Sequence, residues 1–132
     1  MITVLFACVH NAGRSQIAAA LFNNYADRSK ARAISAGTQP AARVHPEVVA
    51  AMRARGLDVS EAAPQMLTPE LAATANCLIT MGCGDECPIV PGVLRDDWPI
   101  QDPKGQSPPV VDSIIEDIDR RVRLLIERSL TM

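Results

Sequence analysis

With 132 residues, 48% of them apolar and 21% charged, the chain has the length and balance of one domain (residues 1–132) able to bury its own core. A net charge of −2 without blocks of like charge offers nothing to nucleic acid or an anionic membrane, and 3% aromatic residues leave little to stack on bases. No run approaches the roughly 20 apolar residues of a membrane span, and the stretch Ile2–Ala7 is too short and too uncharged at its start for a secretion signal, so a cytoplasmic monomer is expected.

Ile2-Thr-Val-Leu-Phe-Ala7 is a continuous apolar run ending in a polar turn, which predicts a strand buried on both faces. From Arg14 to Asp27, the positions Ile17, Ala18, Leu21, Phe22 and Tyr25 form one helical face. Ala31–Ala36 predicts a second strand, ended by Gly37. His45-Pro46 opens a helix carrying Val48, Val49 and Met52 that stops near Gly56, and Thr68-Pro69-Glu70 starts another, with proline in its first turn. Asn76–Met81 predicts a third strand and Val93–Arg95 a short fourth. In the last segment Val111, Ile114, Ile115, Ile118, Val122, Leu125 and Ile126 repeat at helical spacing, a terminal helix with its stripe in the core. Alternating strands and helices imply an α/β fold: a three-layer domain whose four-stranded parallel sheet carries helices on both faces.

The first strand runs straight into Cys8-Val9-His10-Asn11-Ala12-Gly13-Arg14-Ser15, and a helix follows. Ligands of open parallel sheets bind beyond the carboxyl ends of the strands, and a helix start aims free N–H groups and its positive end at that point. Val9, His10, Asn11, Ala12, Gly13 and Arg14 are therefore the candidate oxyanion-binding residues, with Arg14 supplying a planar fork for two oxygens. The same field favours the thiolate of a cysteine placed there, which makes Cys8 the candidate nucleophile. Ser15 is positioned to donate to that sulfur, Asn11 to brace the loop, and Gly13 to adopt a backbone angle other residues resist. The plain alternative is a core cysteine beside a surface arginine.

Cys8–Ser15 at the first strand–helix turn resembles the signature of the low-molecular-weight tyrosine phosphatase fold. Within that fold, Ser35-Ala36-Gly37, Thr80-Met81-Gly82-Cys83-Gly84-Asp85, Cys87-Pro88-Ile89, Trp98, and Asp102-Pro103 with Gly105 resemble the thioredoxin-coupled type of arsenate reductase. The resemblance implies Asp102 as the acid that protonates the departing oxygen. It implies no bound cofactor and an external reductant, thioredoxin or a low-molecular-weight thiol with a glutaredoxin-like partner. It also implies a cascade in which Cys8 bonds arsenic, Cys83 attacks Cys8, and Cys87 attacks Cys83. The chain departs from the pattern at Gly13, where relatives often carry another cysteine. It departs again in the three residues between Cys83 and Cys87, and at Ala19, where some relatives have a glutamate serving a cation.

Two other functions remain open. A phosphatase would share the loop chemistry and need only water for its second half. Phosphatases of this fold wall a phenyl ring with aromatics after the Asp-Pro, whereas Lys104-Gly105 follows here, and Trp98 is the aromatic nearest in sequence. A zinc- or arsenite-binding protein would use Cys77, Cys83, Cys87 and a histidine, but only one close ligand pair exists, so no metal site is assigned. Cys77 reads as a core residue, His10 as a loop residue without acid–base work, and His45 as a residue shaping a helix start. Asp85, Asp96 and Asp97 are rivals to Asp102.

Overall fold

The computed structural model describes residues 1–82 and 90–130. Four strands, β1 (Ile2–Cys8), β2 (Ala31–Gly37), β3 (Cys77–Thr80) and β4 (Leu94–Asp97), form one parallel sheet in the order β2-β1-β3-β4. The helices are α1 (Arg14–Tyr25), α2 (Pro46–Arg53), α3 (Pro69–Ala73) and α4 (Pro108–Leu130). Because β1 is flanked on both sides, its side chains alternate between two cores. Val4, Phe6 and Cys8 join α1, α2 and α4, while Leu5 and Ala7 join Ala36, Leu78 and Ala72 of α3. Helices cover both faces, as the alternating pattern predicts.

The stripe of α4 behaves as its spacing requires: Val111, Ile115, Ile118 and Val122 are fully buried and Ile114 nearly so. Each fully buried aliphatic side chain contributes about 1.5–3 kcal/mol relative to exposure. Trp98 is also buried, its ring 5.5 Å from that of Phe6, so it belongs to the core. Thr68 caps α3 by accepting from the Leu71 N–H at 3.1 Å. No helix among the described residues is long and apolar enough to cross a membrane.

Tyr25 departs from its expected place in the core. It ends α1 at 37% exposure, with its hydroxyl on Asp119 and the Arg123 guanidinium 4.2 Å above its ring. A tyrosine keeps its polar tip wet when a partner is available at the rim. The strand limits also shift slightly. β1 extends through Cys8 because that residue still pairs with Gly37, and β4 starts one residue later than expected, with all four side chains exposed. Short, charged β4 forms the sheet edge, a composition that resists pairing with other chains.

Candidate active site

The turn between β1 and α1 lies at the carboxyl end of the sheet, and its peptide groups are held from outside. Thr38 N–H donates to the Cys8 carbonyl at 3.2 Å, Gln39 N–H to Val9 at 2.7 Å, and Ala41 N–H to His10 at 2.9 Å. The Gln16 amide donates to the Asn11 carbonyl at 3.1 Å and His45 N–H to Ala12 at 2.9 Å. With these carbonyls committed outward, the planar peptides turn their N–H edges the other way. Among the described residues, the N–H groups of Val9 to Arg14 have no acceptor. Such a run of free amides at a helix start is a nest for an anion, and the first turn of α1 carries no acidic side chain to compete.

Cys8 closes β1 at 3% exposure, and its sulfur meets Ser15 Oγ at 2.9 Å. The proton arrangement follows from Asn11. Gln65 N–H must donate, so the Asn11 atom it meets at 3.0 Å is the acceptor Oδ1. The Asn11 Nδ2 then donates to Ser15 Oγ at 2.7 Å, leaving the serine proton for the Cys8 sulfur. This chain, Gln65 to Asn11 to Ser15 to Cys8, suits a sulfur that carries negative charge.

Gly13 has φ of −138° and ψ of −92°, outside the helical and extended regions open to residues with a Cβ, and Asn11 has a positive φ of 51°. Contact adds a second reason for glycine at position 13: a Cβ there would lie 2.9 Å from Pro103 Cγ. Asn11 tolerates its conformation because asparagine bonds locally. Asn11→Ala strands the Gln65 N–H, frees Ser15 and places alanine at positive φ. Its expected cost is about 2–4 kcal/mol of stability, read as a lower urea midpoint.

Arg14 begins α1, and its side chain is only 12% exposed. One terminal nitrogen donates to the Ile100 carbonyl at 3.1 Å, and the other lies 3.9 Å from Asp102 Oδ2. The guanidinium rests on Gly82, where an added Cβ would fall onto it. Asp102 is 43% exposed, and its Oδ1 accepts from Lys104 N–H at 3.0 Å. A carboxyl this close to the loop can deliver a proton to a bound oxyanion, while Asp96 and Asp97 lie on exposed β4. Cys8, Arg14, Ser15 and Asp102 thus come together.

Cys83 and Cys87, like Asp85, lie outside the described residues. Gly82 ends the described stretch before Cys83, directly against Arg14. Cys77 is level with Val4 in the register, four residues below Cys8, or about 13 Å along a strand. Burial pushes its thiol up, and Asp96 adds to this. His45 lies half-buried beside Gly13; burial pushes its imidazole below the usual range, against the opposing pull of Glu47 and Asp102.

Sequence reasoning missed Gln65 and Ile100, which act through backbone atoms that leave no side-chain signature. It also missed Gln16, a buried amide in a helical stripe whose polarity was the available signal.

The chain matches the family described as low molecular weight phosphotyrosine protein phosphatase over residues 3–131. A Halobacterium salinarum protein provisionally named an arsenate reductase is 36% identical over 89% of this chain and 85% of its own length. A glutaredoxin arsenate reductase of Synechocystis is 31% identical over 95% of this chain and 96% of its own. A solved thioredoxin-dependent arsenate reductase of Corynebacterium glutamicum superposes with a TM-score of 0.85 at 43% identity over all of this chain. This chain spans 64% of that protein's length. With the loop, the sheet order and these matches agreeing, the chain belongs to the low molecular weight phosphotyrosine protein phosphatase family, among relatives named arsenate reductases.

Proposed function

We propose that this chain is an arsenate reductase acting as a single-domain monomer, drawing electrons from thioredoxin through Cys8, Cys83 and Cys87. The observation that carries the reading is the Cys8 sulfur facing Ser15 at 2.9 Å, at the start of α1, within a loop of free amides. The Cys8 thiolate attacks arsenic, Arg14 and the amides of Val9 to Arg14 hold the developing charge, and Asp102 protonates the oxygen that leaves as water. Cys83 thiolate then attacks the Cys8 sulfur. The electron pair of the sulfur–arsenic bond stays on arsenic, which leaves as arsenite, and a Cys8–Cys83 disulfide remains. Cys87 attacks Cys83, releasing Cys8 as thiolate, and the Cys83–Cys87 disulfide passes to the external dithiol. The cycle needs reduced thiols, which fits a cytoplasmic setting.

Two observations favour this over phosphate ester hydrolysis. Lys104 and Gly105 follow Asp102-Pro103, and Trp98 is committed to the core, so neither walls a phenyl ring. Thioredoxin is favoured as donor by the 43% identical Corynebacterium protein and by the Cys83, Cys87 pair; the Synechocystis relative makes glutaredoxin the rival. Arsenate added to the protein with thioredoxin, its reductase and NADPH is expected to drive steady NADPH oxidation. Glutathione with glutaredoxin should support a slower rate. Rapid aryl phosphate hydrolysis without arsenate-dependent NADPH oxidation would make the protein a phosphatase.

A further inference from the structure

The turn that carries Asp102 has no regular structure, and half of its carboxyl is wet, yet general acid catalysis needs the group fixed at hydrogen-bond range. Two contacts hold the turn. In one, Pro103 packs against Gly13 of the oxyanion loop. In the other, Gly105 N–H donates to Oε1 of Glu47, in the first turn of α2, at 3.1 Å. Gly105 has φ of 72°, a conformation glycine adopts freely, and Asp102 Oδ1 accepts from Lys104 N–H within the same turn. The helix bearing Glu47 is itself tied to the loop, because His45, just before α2, donates its N–H to the Ala12 carbonyl at 2.9 Å. Loop, α2, Glu47, Gly105, Asp102 and Arg14 close a ring.

We propose that Glu47 is a positioning residue for the acid. It holds the 102–105 turn so that Asp102 Oδ2 stays beside Arg14 and over the oxyanion, an inference that rests on Asp102 being the proton donor. Glu47 touches neither the loop amides nor the sulfur in any contact described above; its hydrogen bond is to the turn of Asp102, and its charge also reaches His45 beside Gly13. Anion binding is then untouched by its loss, while proton delivery is slowed.

Two measurements on pre-reduced protein test this. One is the rate at which arsenite forms in a single turnover without external reductant. The other is the phosphate concentration that protects Cys8 from alkylation. Asp102→Asn should slow arsenite formation by at least about 10²-fold. Glu47→Ala should slow it about 3- to 10-fold, the worth of one exposed charge-assisted hydrogen bond, with phosphate protection unchanged. Glu47→Gln keeps a carbonyl acceptor for Gly105 and should restore the rate to within about twofold of wild type. Combined with Asp102→Asn, Glu47→Ala should cost nothing more, a coupling that a general loss of α2 stability would not produce.

The inference falls if Glu47→Ala is as fast as wild type while Asp102→Asn is slow, if the two losses multiply, or if phosphate protection weakens in parallel. An unaffected Asp102→Asn variant would instead remove Asp102 as the acid, and the inference with it.

Discussion

A protein carrying Cys8→Ser is expected to fold, to hold phosphate in its loop, and to form no arsenite, a loss of at least about 10⁴-fold. A serine oxygen at the end of β1 can still meet Ser15, so the chain from Gln65 through Asn11 survives. What disappears is the nucleophile. A hydroxyl is a far weaker attacking group than a thiolate at neutral pH, and it has no sulfur–arsenic bond to return electrons to arsenic. The other cysteines should fail at later stages. Cys83→Ser should add arsenate at Cys8 but release no arsenite, because nothing attacks the Cys8 sulfur. Cys87→Ser should release one arsenite per chain and then stop, held as the Cys8–Cys83 disulfide. Quenched single-turnover measurement of arsenite per chain, with mass analysis of the disulfides, separates the three. Steady turnover by Cys83→Ser and Cys87→Ser at the wild-type rate would replace the cascade with direct attack by a small thiol.

The sheet and its loop were legible because apolar periodicity and glycine-bearing turns are local signals. The run Ile2–Ala7, the stripe Val111–Ile126 and the Cys8–Ser15 turn all take the places their spacing predicts. Tyr25 was misread because its partner Asp119 is 94 residues away, and helical spacing alone cannot distinguish a core tyrosine from one at the rim. Gly13 is legible as a backbone requirement, but its second constraint, the close approach of Pro103, comes from a distant segment and leaves no local signal. Edge strand β4 gave only a faint signal, since Leu94-Arg95-Asp96-Asp97 buries nothing and holds its place by pairing with β3. The candidate site therefore splits in two. Cys8, Arg14 and Ser15 stand in one contiguous motif and Asp102 is legible only through the family resemblance, whereas the parts that hold them, Gln65 N–H, the Ile100 carbonyl and Glu47, arrive from three distant segments.

Gly82 joins both halves of the proposed reaction, and Gly82→Ala is expected to damage them together. Its φ of 103° is one that residues with a Cβ rarely adopt, and the added Cβ would sit on the Arg14 guanidinium, 3.0 Å from Cζ. Arg14 cannot yield freely, because Ile100 and Asp102 hold its two terminal nitrogens. The expected result is a displaced fork, with anion protection of Cys8 weakened about 10- to 100-fold and kcat/KM for arsenate down about 10²- to 10³-fold. Backbone strain alone would also lower stability by about 1–3 kcal/mol, so a control must carry strain without the collision. Gly92 supplies it: its φ is 83°, and among the described residues nothing lies within 4 Å of an added Cβ. Gly92→Ala should lower the melting temperature comparably and leave anion protection of Cys8 intact. Equal protection in both variants would mean that the guanidinium reaches the oxyanion from another position. Since Gly82 immediately precedes Cys83 in the sequence, arsenite release in a single turnover of Gly82→Ala tests the second half of the proposed reaction.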